Sequence, residues 1–396
     1  MRYLLPLPIL LLLLYWGGPK SAPDPVVIAS DTIFYQLPDS TELPEIVSQD
    51  TLLNRLARFV GGLQQQDSNN YQILEHSEHW REYQNTMDEN WTRMNDSRLS
   101  LMENWKNEHL MPRINESRSL FYPFGGPDFL HAAVFYSNTN EFILAGLEPI
   151  TEVPDLTKLD SIEQNRFLDS LSASLRDVFG KSFFITRNMK KDLKQVNGVV
   201  PLFLVFIART GHELVNLNYV SVDSAGNDFD LPFSQLSSQK TRGVRIEFRR
   251  RGGGQLRKLY YFSGDASNPG LKSKKNLLKF LSKRQPYNTY IKSASYLMHQ
   301  DMFSDIRNVI LEGSESIFED DTGIPYRFLK GAQFDSFLFG EYQKPVKDFL
   351  WLEMQQDLDS AFQLKSQPLP FSLGYHWSDR KQHYMLFKKK NSIFAQ

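Results

Sequence analysis

Four acids stand where chemistry is easiest to build. Asp128 closes the turn Gly125-Gly126-Pro127-Asp128, Glu148 follows the apolar run FILAGL, and Asp320 and Asp321 sit side by side before Thr322-Gly323. Carboxylates at strand ends can exchange protons with a substrate or supply oxygen ligands to a hard cation. Strand ends are also where open sheets present the groups that touch ligands. Plainer uses exist: Asp128 can cap a following helix, and Glu148 can pair with an arginine. The catalytic candidates Asp128, Glu148, Asp320 and Asp321 act together only if their three turns meet in one cleft.

Other signatures are weaker. Asp321-Thr322-Gly323 is the triplet of aspartic proteases, but those enzymes bury the catalytic Asp behind two apolar residues. Here Glu319 and Asp320 precede it, and the chain has no second such triplet. Two adjacent acids before Thr-Gly also suit an oxygen-lined cation loop, without the spaced acids of a calcium loop. His76 and His79 lie three apart on a helical stretch, with no third ligand nearby in sequence. There is no HExxH, GxSxG, Walker A or helix-opening GxGxxG pattern. Gly252-Gly253-Gly254 falls between alternating strands and reads as a hairpin turn, not a phosphate loop. Cofactor and metal stay open.

Charge is distributed unevenly. Between Thr241 and Arg284 there are 13 Lys or Arg against Glu247 and Asp265, a net +11 in a chain whose overall formal charge is −1. Arg242, Arg245, Arg249, Arg250, Arg251, Arg257, Lys258, Lys274 and Lys275 are the candidate binding residues. One shared basic face would attract an anionic membrane surface or an acidic glycan. The plainer reading is a solvated surface neutralised by acids from elsewhere.

The elements that must position these residues can be read in order. Arg2 precedes 13 apolar residues, Leu4 to Trp16, the pattern of a signal-peptide core and too short for a comfortable membrane span. Residues 1–22 are thus expected to be a signal peptide or an uncleaved anchor, and 23–45 a linker rich in Pro, Asp and Ser. The chain has no cysteine, which removes disulfides, thiolate metal sites and thiol nucleophiles. Together these features point to export into a bacterial envelope, where nucleic acid is not an expected partner.

A helical section is expected over 46–118, with Trp80, Tyr83, Met87, Trp91, Met94, Leu101 and Trp105 near a 3-4 alternation that Arg98 interrupts. From 119 to 396 the pattern changes. HAAVFY, EFILAG and VVPLFLVFIART read as strands, and GVRIEFRRRGGGQLRKLYYFSGD reads as the clearest hairpin. A basic amphipathic helix follows in KSKKNLLKFLSKR, and a last hairpin is expected over LPFSLGYHWSDRKQHYMLFKKK. The fold class expected is α+β: N-terminal long helices, then a mixed, largely antiparallel sheet with flanking helices. The hairpins argue against a doubly wound parallel sheet.

The segments Tyr122-Pro123-Phe124, Gly126-Pro127-Asp128, Gly146-Leu147-Glu148-Pro149 and Asp320 to Tyr326 resemble those of a family of uncharacterised exported bacterial envelope proteins, in which a Trp-rich helix precedes YPF-x-GPD, GLEP and DD-[ST]-GIPY. The resemblance implies a location and no activity. The leading expectation is a binding or scaffolding role at the cell envelope through the basic hairpin and helix. The alternative is an enzyme with a carboxylate site, metal-assisted or not, built from Asp128, Glu148 and Asp320/Asp321.

Overall fold

Alternation along the strands sets the architecture. Leu120 and Tyr122 of β1 (Leu120–Tyr122) join one apolar core, while Phe121 between them joins another. β2 (Glu141–Gly146) repeats this, with Phe142 and Leu144 on one side and Ile143 on the other. Both faces of these strands are therefore buried, as the period of two requires for a sheet covered on both sides.

The structure is a computed structural model. It describes residues 52–390, apart from 67–69, 186–195, 197, 332, 344, 347–348, 350–351 and 379–381. The expected signal segment and linker lie outside the described residues. Among the described residues no helix is long and apolar enough to cross a membrane.

Among the described residues one sheet of ten strands runs through the molecule. After β1 and β2 come β3 (His212–Val222), β4 (Asp228–Leu231), β5 (Arg242–Arg250), β6 (Arg257–Ser263), β7 (Tyr287–Ile291), β8 (Ser314–Glu319), β9 (Phe334–Gly340) and β10 (His383–Lys389). Their spatial order is β4-β3-β5-β6-β2-β1-β7-β8-β10-β9. The five central strands β6-β2-β1-β7-β8 pair in parallel. Antiparallel ladders lie only on the two flanks.

The sheet is mixed, as expected, and five of its nine ladders are antiparallel, while its five central strands pair in parallel. The hairpins lie on the flanks of that parallel centre. The β5–β6 hairpin itself forms, Arg242 opposite Ser263 through Phe248 opposite Arg257.

Helices cover one face as α1 (Leu52–Val60), α2 (Glu78–Met94), α3 (Phe129–Phe135), α4 (Ser161–Lys181) and α5 (Val200–Arg209). The other face carries α6 (Lys275–Ser282), α7 (Ser304–Gly313) and α8 (Gln356–Lys365). Two expected strands turn out helical. HAAVFY lies largely within α3, which Asp128 caps by accepting from the His131 N–H. VVPLFLVFIAR is α5, buried all round, with Pro201 in its first turn. A short, wholly apolar run has no periodicity to separate strand from helix, and the proline at its start was the usable signal. The expected C-terminal hairpin is instead a single strand, β10, inserted between β8 and β9.

From α2 the chain stays helical to Leu110 through two π-helical turns, Asn95–Leu99 and Lys106–Leu110. Met94, Leu99, Met102, Trp105 and Leu110 are buried along it.

Candidate functional site

All five parallel strands end on the same edge of the sheet, and the chain reverses its direction of travel there. β2 lies on one side of β1, whereas β7 and then β8 lie on the other. In open sheets such a switch point leaves a crevice beyond the carboxyl ends of the strands. The loops that meet at this edge follow β1 (123–128), β2 (147–149), β6 (264–266), β7 (292–296) and β8 (320–325). All four acids named from the sequence are on them. They do not share one cleft, however.

Asp128 is 1% exposed and faces inward. Its Oδ1 is 2.7 Å from His131 Nδ1, the Tyr122 hydroxyl donates to its Oδ2 at 2.9 Å, and Lys292 Nζ lies 2.6 Å from Oδ2. Lys292, the residue after β7, is itself buried and also donates to the Ser182 carbonyl. Burial works to raise the Asp128 carboxyl, but His131 and Lys292 outweigh it and hold it at about 2. Burial lowers His131 to about 4 against the pull of Asp128, so the ring is neutral at pH 7 and the charged pair is Asp128 with Lys292. Burial also lowers the Lys292 ammonium, opposed by Asp128. This network ties the loop after β1 to the loop after β7 and is sealed from solvent.

Of the four acids, Glu148 lines the cleft at this edge. A cleft of about 480 Å³ opens between the loops after β1, β2, β6 and β7. Its walls carry six aromatic rings, those of Phe124, Phe183, Phe184, Phe303, Phe349 and Tyr375, and two carboxylates, Glu148 and Asp265. Among its described lining residues there is no Lys, Arg or His. Tyr261 reaches Glu148 from below, its hydroxyl 2.9 Å from the main-chain oxygen and 3.3 Å from Oε2.

Two glycines let this carboxylate sit where it does. A Cβ on Gly146 would come within 2.5 Å of Glu148 Oε2, and one on Gly126, at φ +56°, within 3.0 Å. Asp265 is held below the ordinary carboxylate range, first by the Ser267 hydroxyl and amide, and Lys274 Nζ approaches its main-chain oxygen at 3.4 Å. Ser293, Ser295 and Tyr296, in the loop after β7, all adopt φ near +55°, a conformation costly for residues with a Cβ and found where loops are over-determined by their surroundings.

The acids after β8 form a third group. Asp320 accepts from the Thr322 amide (3.1 Å) and hydroxyl with one oxygen and from the Ser293 amide (3.0 Å) with the other. Burial and then neighbouring Asp321 raise it to about 6. Glu319 accepts from the Ile324 amide at 2.8 Å, and burial pushes it well above its usual range. Of the two adjacent acids that suggested a cation loop, Asp320 thus has both oxygens taken by local amides and a hydroxyl.

Asp321 turns the other way. Its Oδ2 accepts from the Tyr296 hydroxyl at 2.8 Å, while its Oδ1 faces His383 Nε2 at 3.0 Å and His376 Nε2 at 3.9 Å. Burial would raise Asp321, but His383, then His376 and the Tyr296 hydroxyl, hold it below its ordinary value.

The basic residues do not make one patch. Arg245 pairs with Asp228 and Asp230, and Arg249 with Glu213. Arg257 donates to the Ser137 carbonyl. Arg250 and Arg251 are exposed at the hairpin turn, while Arg242 is exposed at the other end of β5. Eight residue steps along the strand separate Arg242 from Arg250, roughly 26 Å. Lys258 sits beside the turn on β6, Lys274 lies by Gly264, and Lys275 opens α6. Among the described residues His76 and His79 belong to no group of three metal-ligating side chains; His79 Nε2 lies 3.0 Å from Asp169.

No family model, curated protein or solved structure matches this chain. The site rests on its own geometry. Sequence reasoning missed Lys292, His131, His376 and His383. The first could have been read as an ionisable residue ending the buried-looking strand YNTYI, and the second as the i+3 partner of a capping Asp. The two histidines of HWSDRKQH gave only their spacing.

Proposed function

We propose that this chain is a binding protein for a small organic cation with an apolar body, an amine or a quaternary ammonium, held in the cleft at the carboxyl edge of the parallel strands. The observation that carries this reading is the lining itself: six aromatic rings and two carboxylates, with no cationic side chain among the described lining residues. Aromatic faces attract cations through their quadrupole, by about 0.5–2 kcal/mol each when desolvated. A carboxylate at the wall adds the one charge that fixes orientation, the usual pattern of a mostly apolar pocket with few polar groups. Glu148 and Asp265 are the two anions of that wall.

The experiment is a pairwise comparison by calorimetry. Choline and benzyltrimethylammonium are set against neutral isosteres in which carbon replaces the ammonium nitrogen. The cations are expected to bind and the isosteres to bind at least about tenfold more weakly, 1.4 kcal/mol. Glu148→Gln should remove most of that preference. Equal binding of charged and neutral members, or binding of neither, sinks the reading.

Export belongs to the same proposal and rests on the N-terminal apolar run. The enzyme reading now leans on Glu148, because Asp128, Asp320 and Asp321 are buried away from the cleft. The polyanion reading is less favoured by the division of the basic residues between two ends of a strand.

A further inference from the structure

We propose that Asp321, His376 and His383 form a metal-binding site for a divalent first-row cation of borderline softness, zinc in the first instance. Nothing in the cation-pocket reading requires it, and it stands on separate residues.

The three side chains arrive from three separate stretches of the chain. Asp321 is the second residue beyond β8, and His383 opens β10, the strand antiparallel to β8. The ladder between them pairs Met385 with Glu319, and the same register carried two residues outward sets His383 opposite Asp321. His376 comes from the short 3-10 turn Gly374–His376. One ligand atom from each lies within 4.8 Å of the others.

Tetrahedral zinc with bonds of about 2.0–2.1 Å places its ligand atoms about 3.3 Å apart. The observed separations from Asp321 Oδ1, 3.0 Å to His383 Nε2 and 3.9 Å to His376 Nε2, bracket that edge. Two imidazoles and a carboxylate are a donor set suited to zinc or non-haem iron rather than to calcium or magnesium.

The competing account is a buried ion pair between Asp321 and a protonated His383. An imidazolium has two N–H donors to satisfy. His383 is fully buried, its Nδ1 has no hydrogen-bond partner among the described residues, and Nε2 meets Asp321 at 3.0 Å without hydrogen-bond geometry. Leaving such donors unmet is costly. A metal uses instead what the geometry offers, three ligand atoms within 4.8 Å of one another.

The surroundings also suit a monodentate carboxylate. Tyr296 donates to Oδ2, the oxygen turned away from the histidines, and the Val346 N–H fixes that hydroxyl at 3.1 Å. Groups that hold a ligand's second atom orient the first. Three protein ligands leave a fourth position for water or an exogenous ligand.

The test uses the full chain, stripped with chelator and then equilibrated with zinc or cobalt(II). Zinc content is read by elemental analysis after dialysis, affinity by competition with a chromophoric chelator, and geometry from the visible bands of the cobalt form. Wild type should retain about one equivalent and show tetrahedral cobalt bands. His376→Ala, at a partly exposed position, should weaken binding at least about tenfold and abolish those bands with an unchanged circular dichroism spectrum. His383→Gln provides a second variant that keeps polarity and size. If wild type retains no more zinc than the two variants, or if both variants bind as tightly as wild type, the site does not exist and the ion pair stands.

Discussion

Lys292 and Asp128 show how far a residue's meaning depends on its partner. Removing one member of a buried, hydrogen-bonded pair leaves an uncompensated charge, which costs about 3–5 kcal/mol. Lys292→Met should therefore destabilise the fold by that order in urea denaturation. Adding Asp128→Asn should recover a large share of the loss, and two additive losses would mean the pair is not coupled.

His212 offers a pH-dependent check. Burial first, then Arg257 and Arg250, lower its pKa from 6.5 to about 4. A histidine with a depressed folded pKa binds its proton more readily in the unfolded chain. Its contribution is therefore full above pH 6.5 and is lost as pH falls toward 4. Wild type should lose up to about 3 kcal/mol more than His212→Gln over that window, and parallel stability curves would refute it.

At this scale the sequence was half legible. Asp128 announced itself by its turn, but nothing local marked Lys292, 164 residues away in the chain, as its counter-ion.

Elements were legible where periodicity was strong and opaque where it was absent. The β5–β6 hairpin could be read because alternation and three glycines left little choice. α5 could not, because a run buried on every side carries no phase. The parallel centre was hidden for a related reason: β1 is only three residues long, and its neighbour β7 comes from a distant part of the chain.

The turns after β1 and β2 give a prediction of their own. Gly146→Ala would set a Cβ 2.8 Å from the Gly126 Cα as well as against Glu148, so the two turns must separate. A loss of about 1–3 kcal/mol is expected from such overpacking, together with weaker binding of the cationic ligand. Unchanged stability and affinity in Gly146→Ala would show that the turns can move freely.

For the whole molecule, charge must be counted in space and not along the chain. The run with net +11 folds so that Asp228, Asp230, Glu213 and Glu141 are brought against its arginines. Binding to anionic vesicles over neutral ones is accordingly expected to be weak, and co-sedimentation measures it directly. Strong, salt-sensitive capture by the anionic vesicles would restore a polyanion role.

The two π-helical turns after α2 bear on what lengths this chain can take. Buried apolar positions along that helix are spaced Met94, Leu99, Met102, Trp105, Leu110, so each wide turn absorbs one residue beyond the ordinary step of three or four. A π turn of this kind is equivalent to a single-residue insertion accommodated without rotating the helix beyond it. Deleting exposed Asp96 should let the first turn close to an ordinary α-helical one with Trp105 still facing the core, whereas deleting Thr86 would swing every later side chain by about 100°. Gaps are thus forgiven at one point of this helix and punished a few residues away.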